Sequence, residues 1–289
     1  MSGFLCAGLQ TFLPGAILKE NRKGDAPVKI FTLMENTSGD EYLHCEHGLS
    51  LYIETDCRKL LFDAGQTADF AENAKNMGVD LSRVDTAILS HGHYDHSGGF
   101  AAFRSLNPHA PVYASSYVFG DFYNGTEKYI GVDPALKDLP GLVLSWGEVD
   151  LGDGITLYAG RIPLPRGIES YGLHVRTNGR PVADDFRHEQ YLLIREGEKR
   201  VLFSGCSHRG ILNIAEYFRP DVLVGGFHFM KLDPAGEGRP VLENAARSLL
   251  ELGCTFYTGH CTGLAQFAFL KERMGGKLHY LAAGSILEL

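Results

Sequence analysis

The stretch Ala87-Ile-Leu-Ser-His91-Gly-His93-Tyr-Asp95-His96-Ser-Gly-Gly99 joins a short apolar run to three histidines and one aspartate within six residues. Imidazole nitrogens and carboxylate oxygens crowded together are typical ligands of transition metals. In an extended segment, His91 and His93 are two positions apart and point to the same side. The stretch therefore predicts a strand that ends in a metal site and is followed by a glycine-rich turn and a helix.

The composition is that of an ordinary folded protein. Of its 289 residues 44% are hydrophobic and 21% are charged, which excludes a disordered chain, a collagen-like chain and a coiled coil. The net charge of −8 argues against a nucleic-acid partner. No apolar run reaches the length of a membrane helix, so we expect no membrane partner. The first residues lack the basic segment of a signal peptide, and the six cysteines form no Cys-x-x-Cys pair. We therefore expect a cytoplasmic protein with reduced thiols.

The pattern of apolar residues predicts one domain, residues 1–289, in which pairs of strands come first and strands then alternate with helices. Two Gly-rich stretches, at about 115–140 and 161–188, fit no element and are expected to be long functional loops. The predicted strands are 28–34, 49–54, 59–62, 84–89, 111–114, 142–145, 155–159, 190–195, 200–203, 221–224, 255–257 and 277–281. The predicted helices are 67–77, 98–106, 210–218, 240–252 and 263–274.

Four further motifs lie along the chain, one before this stretch and three after it: Leu60-Leu-Phe-Asp63-Ala-Gly65, His188 before a strand pair, Leu202-Phe-Ser-Gly-Cys206, and Tyr257-Thr-Gly-His260. Together with His91-x-His93-x-Asp95-His96, their order and spacing resemble the metallo-β-lactamase superfamily over roughly residues 28–284. The resemblance implies an α+β fold, a four-layer αββα sandwich with the site at one edge of its two sheets.

The resemblance also implies a ligand set for two divalent metal ions, with zinc foremost and manganese or iron as alternatives. His91, His93 and His188 would hold the first ion, and Asp95, His96 and His260 the second. Asp63 would support the ligands without touching metal. Cys206 departs from the superfamily pattern, which usually has a bridging aspartate there. Its thiolate could bind one ion or bridge both, or it could be a buried residue that leaves the bridge to water.

A closer resemblance rests on Glu35-Asn36, Glu46-His47-Gly48, Gly205-Cys206-Ser207-His208-Arg209-Gly210, Gly225-Gly226-Phe227-His228 and Gly259-His260-Cys261-Thr262-Gly263. These segments look like the branch of metal-dependent hydrolases similar to 7,8-dihydropterin-6-methyl-4-(β-D-ribofuranosyl)aminobenzene-5′-phosphate synthase. Flavin-linked diiron members of the superfamily have a glutamate at the position of His93. The histidine here favours hydrolytic Lewis-acid chemistry.

We therefore predict a binuclear metallo-hydrolase that uses a metal-bound hydroxide on a small, phosphorylated or heterocyclic substrate. Asp95 would bind one ion and orient the nucleophile, and His208 or His228 would donate a proton to the leaving group. The alternatives are a condensing synthase that uses a dihydropterin diphosphate, and a metal-stabilised binding or sensor protein with little catalysis. A homodimer is left open. Five arginines, at 161, 166, 176, 187 and 209, could clamp a phosphate, although a solvated charged loop is the better explanation for any one of them. The aromatic run 119–129 could stack on a heterocycle, or it could equally cover the core or a dimer interface.

Overall fold

The computed structural model describes residues 27–289. The predicted absence of a signal peptide concerns residues outside that range. The strands, in chain order, are β1 (Lys29–Met34), β2 (Ser50–Glu54), β3 (Lys59–Phe62), β4 (Thr86–Ile88), β5 (Val112–Ser115), β6 (Phe122–Asn124), β7 (Lys128–Tyr129), β8 (Leu142–Ser145), β9 (Gly147–Gly152), β10 (Ile155–Ala159), β11 (Leu173–Thr177), β12 (Arg180–Ala183), β13 (Gln190–Glu196), β14 (Lys199–Phe203), β15 (Val222–Val224), β16 (Thr255–Thr258), β17 (Leu278–Tyr280) and β18 (Ile286–Glu288). The α-helices are α1 (Asp69–Asn76), α2 (Tyr94–Ser97), α3 (Phe100–Leu106), α4 (Ile211–Phe218), α5 (Arg239–Glu251) and α6 (Leu264–Met274). Among these residues no helix is both long and apolar enough to cross a bilayer.

Two seven-stranded sheets form the centre of the protein. The first has the order β18-β1-β2-β3-β4-β5-β8 and the second β17-β16-β15-β14-β13-β10-β9. Each has a parallel part, β3-β4-β5-β8 in the first sheet and β14-β15-β16-β17 in the second, which continues into antiparallel strands. Their facing sides share one apolar cluster, in which Phe62 of β3 and Phe203 of β14 have ring centroids 5.8 Å apart.

Helices cover both outer faces. Alternation along β3 shows why: Leu60 and Phe62 point into the inter-sheet cluster, whereas Leu61 packs with Phe70 of α1 and Phe100 of α3. On the other side, α4, α5 and α6 cover the second sheet with the same alternation of apolar residues. The result is the four-layer αββα sandwich that the sequence predicted.

The stretches 115–140 and 161–188, expected to be long loops, contribute most of a third sheet. This small antiparallel sheet has the order β12-β11-β6-β7. Its strands are two to five residues long and partly exposed, so their periodicity is too short to predict from sequence. The edge strand β9 and the last strand β18 were also missed. The five predicted helices correspond to α1 and α3–α6, with ends shifted by one or two residues.

Candidate metal centre

The candidate site lies where parallel strands of both sheets end. Asp63 directly follows β3, and His91 lies three residues beyond the end of β4. From the second sheet, Cys206 follows β14, His228 follows β15 and His260 follows β16. Because the carboxyl ends of parallel strands share one sheet edge, residues far apart in sequence converge there. The site thus arises from the topology of the two sheets.

Asp63 connects two of the predicted ligands. Its carboxylate accepts hydrogen bonds from the Ser90 backbone N–H and hydroxyl, both at 2.7 Å, and lies 2.6 Å from His96 Nδ1. The Ser90 hydroxyl is in turn 2.8 Å from His91 Nδ1. Asp63 therefore holds His96 directly and His91 through Ser90, and the Nε2 atom of each ring is left free to face the site. This is the supporting position predicted for Asp63.

The three residues predicted for the second ion are close together. His96 Nε2 lies 3.2 Å from His260 Nε2, and Asp95 Oδ2 lies 3.3 Å from His260 Nε2 and 3.9 Å from His96 Nε2. His260 Nδ1 is 2.8 Å from the amide oxygen of Asn36. Since a carboxylate or amide oxygen only accepts, both rings donate through Nδ1, and their Nε2 atoms face each other. A proton or a metal ion between the two Nε2 atoms would satisfy both, and the Asp95 carboxylate beside them would stabilise either cation.

The residues predicted for the first ion are divided between two groups. His91 Nε2 and His93 Nε2 are buried and have no hydrogen-bond partner. His91 forms a possible ligand group with Cys206 and His208, whereas His93 groups with Asp184 and His188. His188 differs from the others because its Nδ1 accepts the Gly92 N–H at 2.9 Å and its Nε2 lies 3.1 Å from Asp184.

His208 is buried, and neither of its ring nitrogens has a partner. The ring lies 4.7 Å from that of His91 and 4.8 Å from that of His93, between centroids. Glu189 fixes the backbone beneath it, since its carboxylate accepts the His208 N–H at 2.7 Å and the Arg209 N–H at 3.1 Å. His208 is therefore placed where a third imidazole ligand of the first ion would be needed.

Cys206 lies between the two predicted ion positions. Its Sγ is 3.2 Å from His96 Nε2, and it belongs both to the group with His91 and His208 and to the group with His96 and His260. Burial raises the pKa of its thiol well above the usual value. A nearby divalent cation reverses that balance, because thiolate is the form that binds metal. The position suits a bridging ligand.

His228 lies beside His208, at the border between the site and a neighbouring cavity. Its backbone has a left-handed conformation, φ 55°, after Gly225 and Gly226, which pack tightly against neighbouring loops. Both of its ring nitrogens are buried without a hydrogen-bond partner, and its ring centroid is 4.2 Å from that of His208.

Burial and neighbouring charges shift the pKa values of the cluster in different directions. Burial, together with neighbouring histidines, lowers the pKa of His93 to about 3 and holds the pKa values of His91 and His208 well below normal. For His96, burial opposes protonation, but the Asp63 and Asp95 carboxylates outweigh it and raise its pKa to about 9. Burial likewise opposes ionisation of Asp95, yet His96 and His260 lower its pKa.

Two polar neighbours of the site were missed or left open by sequence reasoning. Asp184 was not singled out, although its spacing of four residues before His188 could have drawn attention to it. His47 belongs to the Glu46-His47-Gly48 segment on which the branch resemblance rests. Its Nε2 lies 3.3 Å from Asp95 Oδ2, and its ring packs against His260 at 4.7 Å between centroids.

The arginines considered as phosphate clamps mostly bond to other protein groups. Arg166 pairs with Glu216 and Arg187 with Asp185, while the buried Arg209 donates to backbone oxygens. Two lysines instead lie at the mouth of the site, Lys128 from β7 and Lys231 after β15. Arg176 lies over the Tyr123 ring, 4.1 Å from its centroid.

These donors fit divalent metal ions. The orphaned Nε2 atoms of His91 and His93, the facing Nε2 atoms of His96 and His260, and the adjacent Asp95 carboxylate and Cys206 thiol form one cluster of nitrogen, oxygen and sulfur donors. Burial lowers the pKa values of His91 and His93, which favours the neutral imidazole that binds metal. Imidazole and thiolate donors are suited to zinc among common divalent ions.

Comparison with known proteins agrees with this geometry. Residues 45–251 match the sequence profile of the metallo-beta-lactamase superfamily, and the chain belongs to that superfamily. A crystal structure of Tm1679, described as a metal-dependent hydrolase of the beta-lactamase superfamily, superposes with a TM-score of 0.78 at 30% identity, covering 91% of this chain and 99% of that one.

Two proteins of Methanocaldococcus jannaschii are also similar in sequence. One, named 7,8-dihydropterin-6-methyl-4-(beta-D-ribofuranosyl)-aminobenzene-5'-phosphate synthase, is 30% identical over 90% of this chain and 96% of its own length. The other, the uncharacterized protein MJ0448, is 28% identical over 68% of this chain and 78% of its own length. The branch resemblance seen in the sequence motifs is thereby confirmed. Superfamily membership indicates an enzyme that depends on metal.

Proposed function

We propose that this protein is a metal-dependent hydrolase of small phosphorylated compounds with a binuclear site. The observation that carries the proposal is the cluster of buried imidazole nitrogens around Asp95 and Cys206, several of which have no hydrogen-bond partner. Divalent ions bound there would polarise a phosphoryl oxygen and lower the pKa of water. Zinc is the proposed metal, with His91, His93, Asp95, His96, Cys206 and His260 as ligands and His188 or His208 completing the first ion.

Two lysines support an anionic substrate. Lys231 Nζ donates to Asn124 Oδ1 at 3.1 Å and to the Tyr171 carbonyl at 2.7 Å, and an ammonium has a third N–H to offer. Lys128 lies over the Tyr94 ring at 5.7 Å on the same rim. The space between these lysines and the metal ligands is about 90 Å³, which suits a small polar group. Both ammonium groups would attract a phosphate and hold it against the metal ligands.

Hydrolysis of a phosphate ester joins the oxygen of water to phosphorus, breaks the bond to the leaving oxygen and transfers one proton to it. His228 is proposed to carry that proton, because it stands beside the ligand cluster with both ring nitrogens unbonded. Burial and the neighbouring histidines lower the pKa of His208, which disfavours the protonated ring that a proton donor needs. Asp95 would orient the attacking oxygen through its free carboxylate lone pairs.

The test combines metal analysis with turnover. Zinc-loaded and manganese-loaded protein should contain about two ions per chain and should hydrolyse p-nitrophenyl phosphate, bis(p-nitrophenyl) phosphate or both. His93→Ala should abolish turnover while circular dichroism shows an intact fold, and His109→Ala, an exposed histidine remote from the site, should behave as the native protein. Metal-replete protein that binds no ion, or full activity in His93→Ala, would refute the proposal. Metal binding without turnover of phosphoesters, thioesters or lactones would favour a binding or sensor protein.

A second candidate function is condensation. One relative, which is 30% identical over 90% of this chain, is named as a synthase. That name favours condensation. In that reaction the amino nitrogen of a ribofuranosyl-aminobenzene phosphate would bond to the methylene carbon of a dihydropterin diphosphate; the bond from that carbon to pyrophosphate would break, and the nitrogen would release one proton. Incubation with both compounds, followed by mass spectrometry, separates the two functions. A joined product supports the synthase, and a merely hydrolysed pterin supports the hydrolase.

A further inference from the structure

A second, larger cavity lies beside the metal cluster. Its volume is about 420 Å³, and it extends from the turn before α4 to the exposed side of α5. We call it the side cavity. His208 and His228 line both this cavity and the space in front of the metal ligands, so the two are neighbours across one pair of imidazoles. A molecule held at the metal cluster could therefore extend into the side cavity without leaving the protein.

The walls of the side cavity are mainly apolar. Ile211, Phe227, Phe229 and Ala245 line it, and each is less than a tenth exposed over its own surface. Its volume lies in the range of about 300–1,000 Å³ that is usual for small-molecule sites. The ring of Tyr171 packs at 5.6 Å from that of His228 at the junction with the metal site. Such walls favour a flat apolar group over a hydrated anion.

Two polar side chains beside the side cavity, Asn213 and Arg166, are already bonded within the protein. Asn213 donates to the carbonyls of Gly167 and Arg209, and its own oxygen accepts the Arg166 N–H. The Arg166 guanidinium pairs with Glu216. By contrast, neither ring nitrogen of His228 has a hydrogen-bond partner. The side cavity thus lacks an available cation for a phosphate, in contrast to the rim with Lys128 and Lys231.

We propose that the side cavity binds an aromatic or heteroaromatic ring of the substrate, while the phosphate lies on the lysine rim. This inference rests on the proposed function, because it takes the ring and the phosphate to be parts of one substrate that extends across the metal cluster. His228 stands at the border between the ring and the reacting group. Ring binding in the side cavity would select aryl over alkyl substrates.

The experiment blocks the side cavity from its exposed side. Val241 of α5 lines the cavity and is 45% exposed, so Val241→Trp can fill the entrance without replacing a core residue. Leu250 on the same helix is 39% exposed and does not line it, which makes Leu250→Trp the matched control. Ala245→Phe tests the interior, and Val241→Trp alone suffices if Ala245→Phe does not fold.

Binding is measured by calorimetry on zinc-loaded protein with three probes: 6-hydroxymethylpterin, 4-methylaniline and inorganic phosphate. We expect Val241→Trp to lower the affinity for the aromatic probes at least tenfold and to leave the affinity for phosphate unchanged. Leu250→Trp should change neither affinity. The pterin and aniline arms distinguish a fused heterocycle from a single ring. Failure of both aromatic probes to bind the native protein, or equal affinity in Val241→Trp, would overturn the inference. Absence of phosphoester turnover with intact ring binding would instead reject the proposed hydrolase alone.

Discussion

Asp63→Asn tests whether the buried carboxylate sets the proton positions of the metal ligands. An asparagine that accepts the Ser90 N–H through its oxygen must turn its NH₂ group towards His96 Nδ1, which now donates to Asp63 at 2.6 Å. His96 would then carry its proton on Nε2 and lose the lone pair that faces His260. The variant therefore replaces the tautomer that binds metal by one that cannot.

The expected loss of metal affinity follows from the effect of comparable hydrogen-bond partners behind metal ligands in other proteins. Loss of a hydrogen-bond partner behind a metal ligand lowers metal affinity by about 10–100-fold, which is about 1.4–2.8 kcal/mol. Asp63 also helps to raise the pKa of the fully buried His96 to about 9, so the metal-free variant loses a buried ion pair. We expect this loss to destabilise the metal-free protein by about 3–5 kcal/mol.

Zinc affinity is measured by competition with a chromophoric chelator, and stability by urea unfolding of chelator-treated protein. Ser90→Ala removes only the hydroxyl between Asp63 and His91 and should cause a smaller loss of affinity than Asp63→Asn. Asp85→Asn is the control, an exposed carboxylate that accepts the Lys59 N–H, and it should change affinity by no more than about twofold. A folded Asp63→Asn protein with native zinc affinity would refute the reasoning.

Further predictions concern metal loading, the ligand loop and the core. Zinc at about 100 times its dissociation constant should stabilise the fold by about 2.7 kcal/mol and raise Tm by about 5–10 °C in differential scanning fluorimetry; an unchanged Tm after chelation would contradict this. His208→Ala should reduce the metal content towards about one ion per chain, measured by elemental analysis, because both nitrogens of His188 already have partners. Equal metal content in His208→Ala and in the native protein would contradict this prediction. Glu189→Gln turns an NH₂ group towards buried N–H or O–H donors and should cost about 1–3 kcal/mol in urea unfolding, with exposed Glu198→Gln as the control. Phe203→Ala empties the space between the sheets and should destabilise the fold by about 3–5 kcal/mol; a loss well below that range would show that the inter-sheet core is less tightly packed than described.

The sequence by itself determined the strands and helices that carry strong periodicity, and its motifs implied the sandwich through their resemblance to the superfamily. The spacing of His91, His93, Asp95 and His96 is a local property, because neighbouring residues at a strand end share one place in space whatever the rest of the chain does. The position of Asp63 after an apolar strand was informative for the same reason. Strand β12, with four exposed residues, gave no such signal.

Only the tertiary structure decided which distant groups meet and which atoms remain free. Hydrogen bonds to Gly92 and Asp184 occupy both nitrogens of His188, whereas His208 keeps both of its own, and no sequence pattern distinguishes the two. The side cavity likewise forms between α4, the residues after β15 and α5, which are separate along the chain. Lone-pair direction and cavity shape depend on side-chain packing between elements, and packing exists only once the sheets and helices have come together.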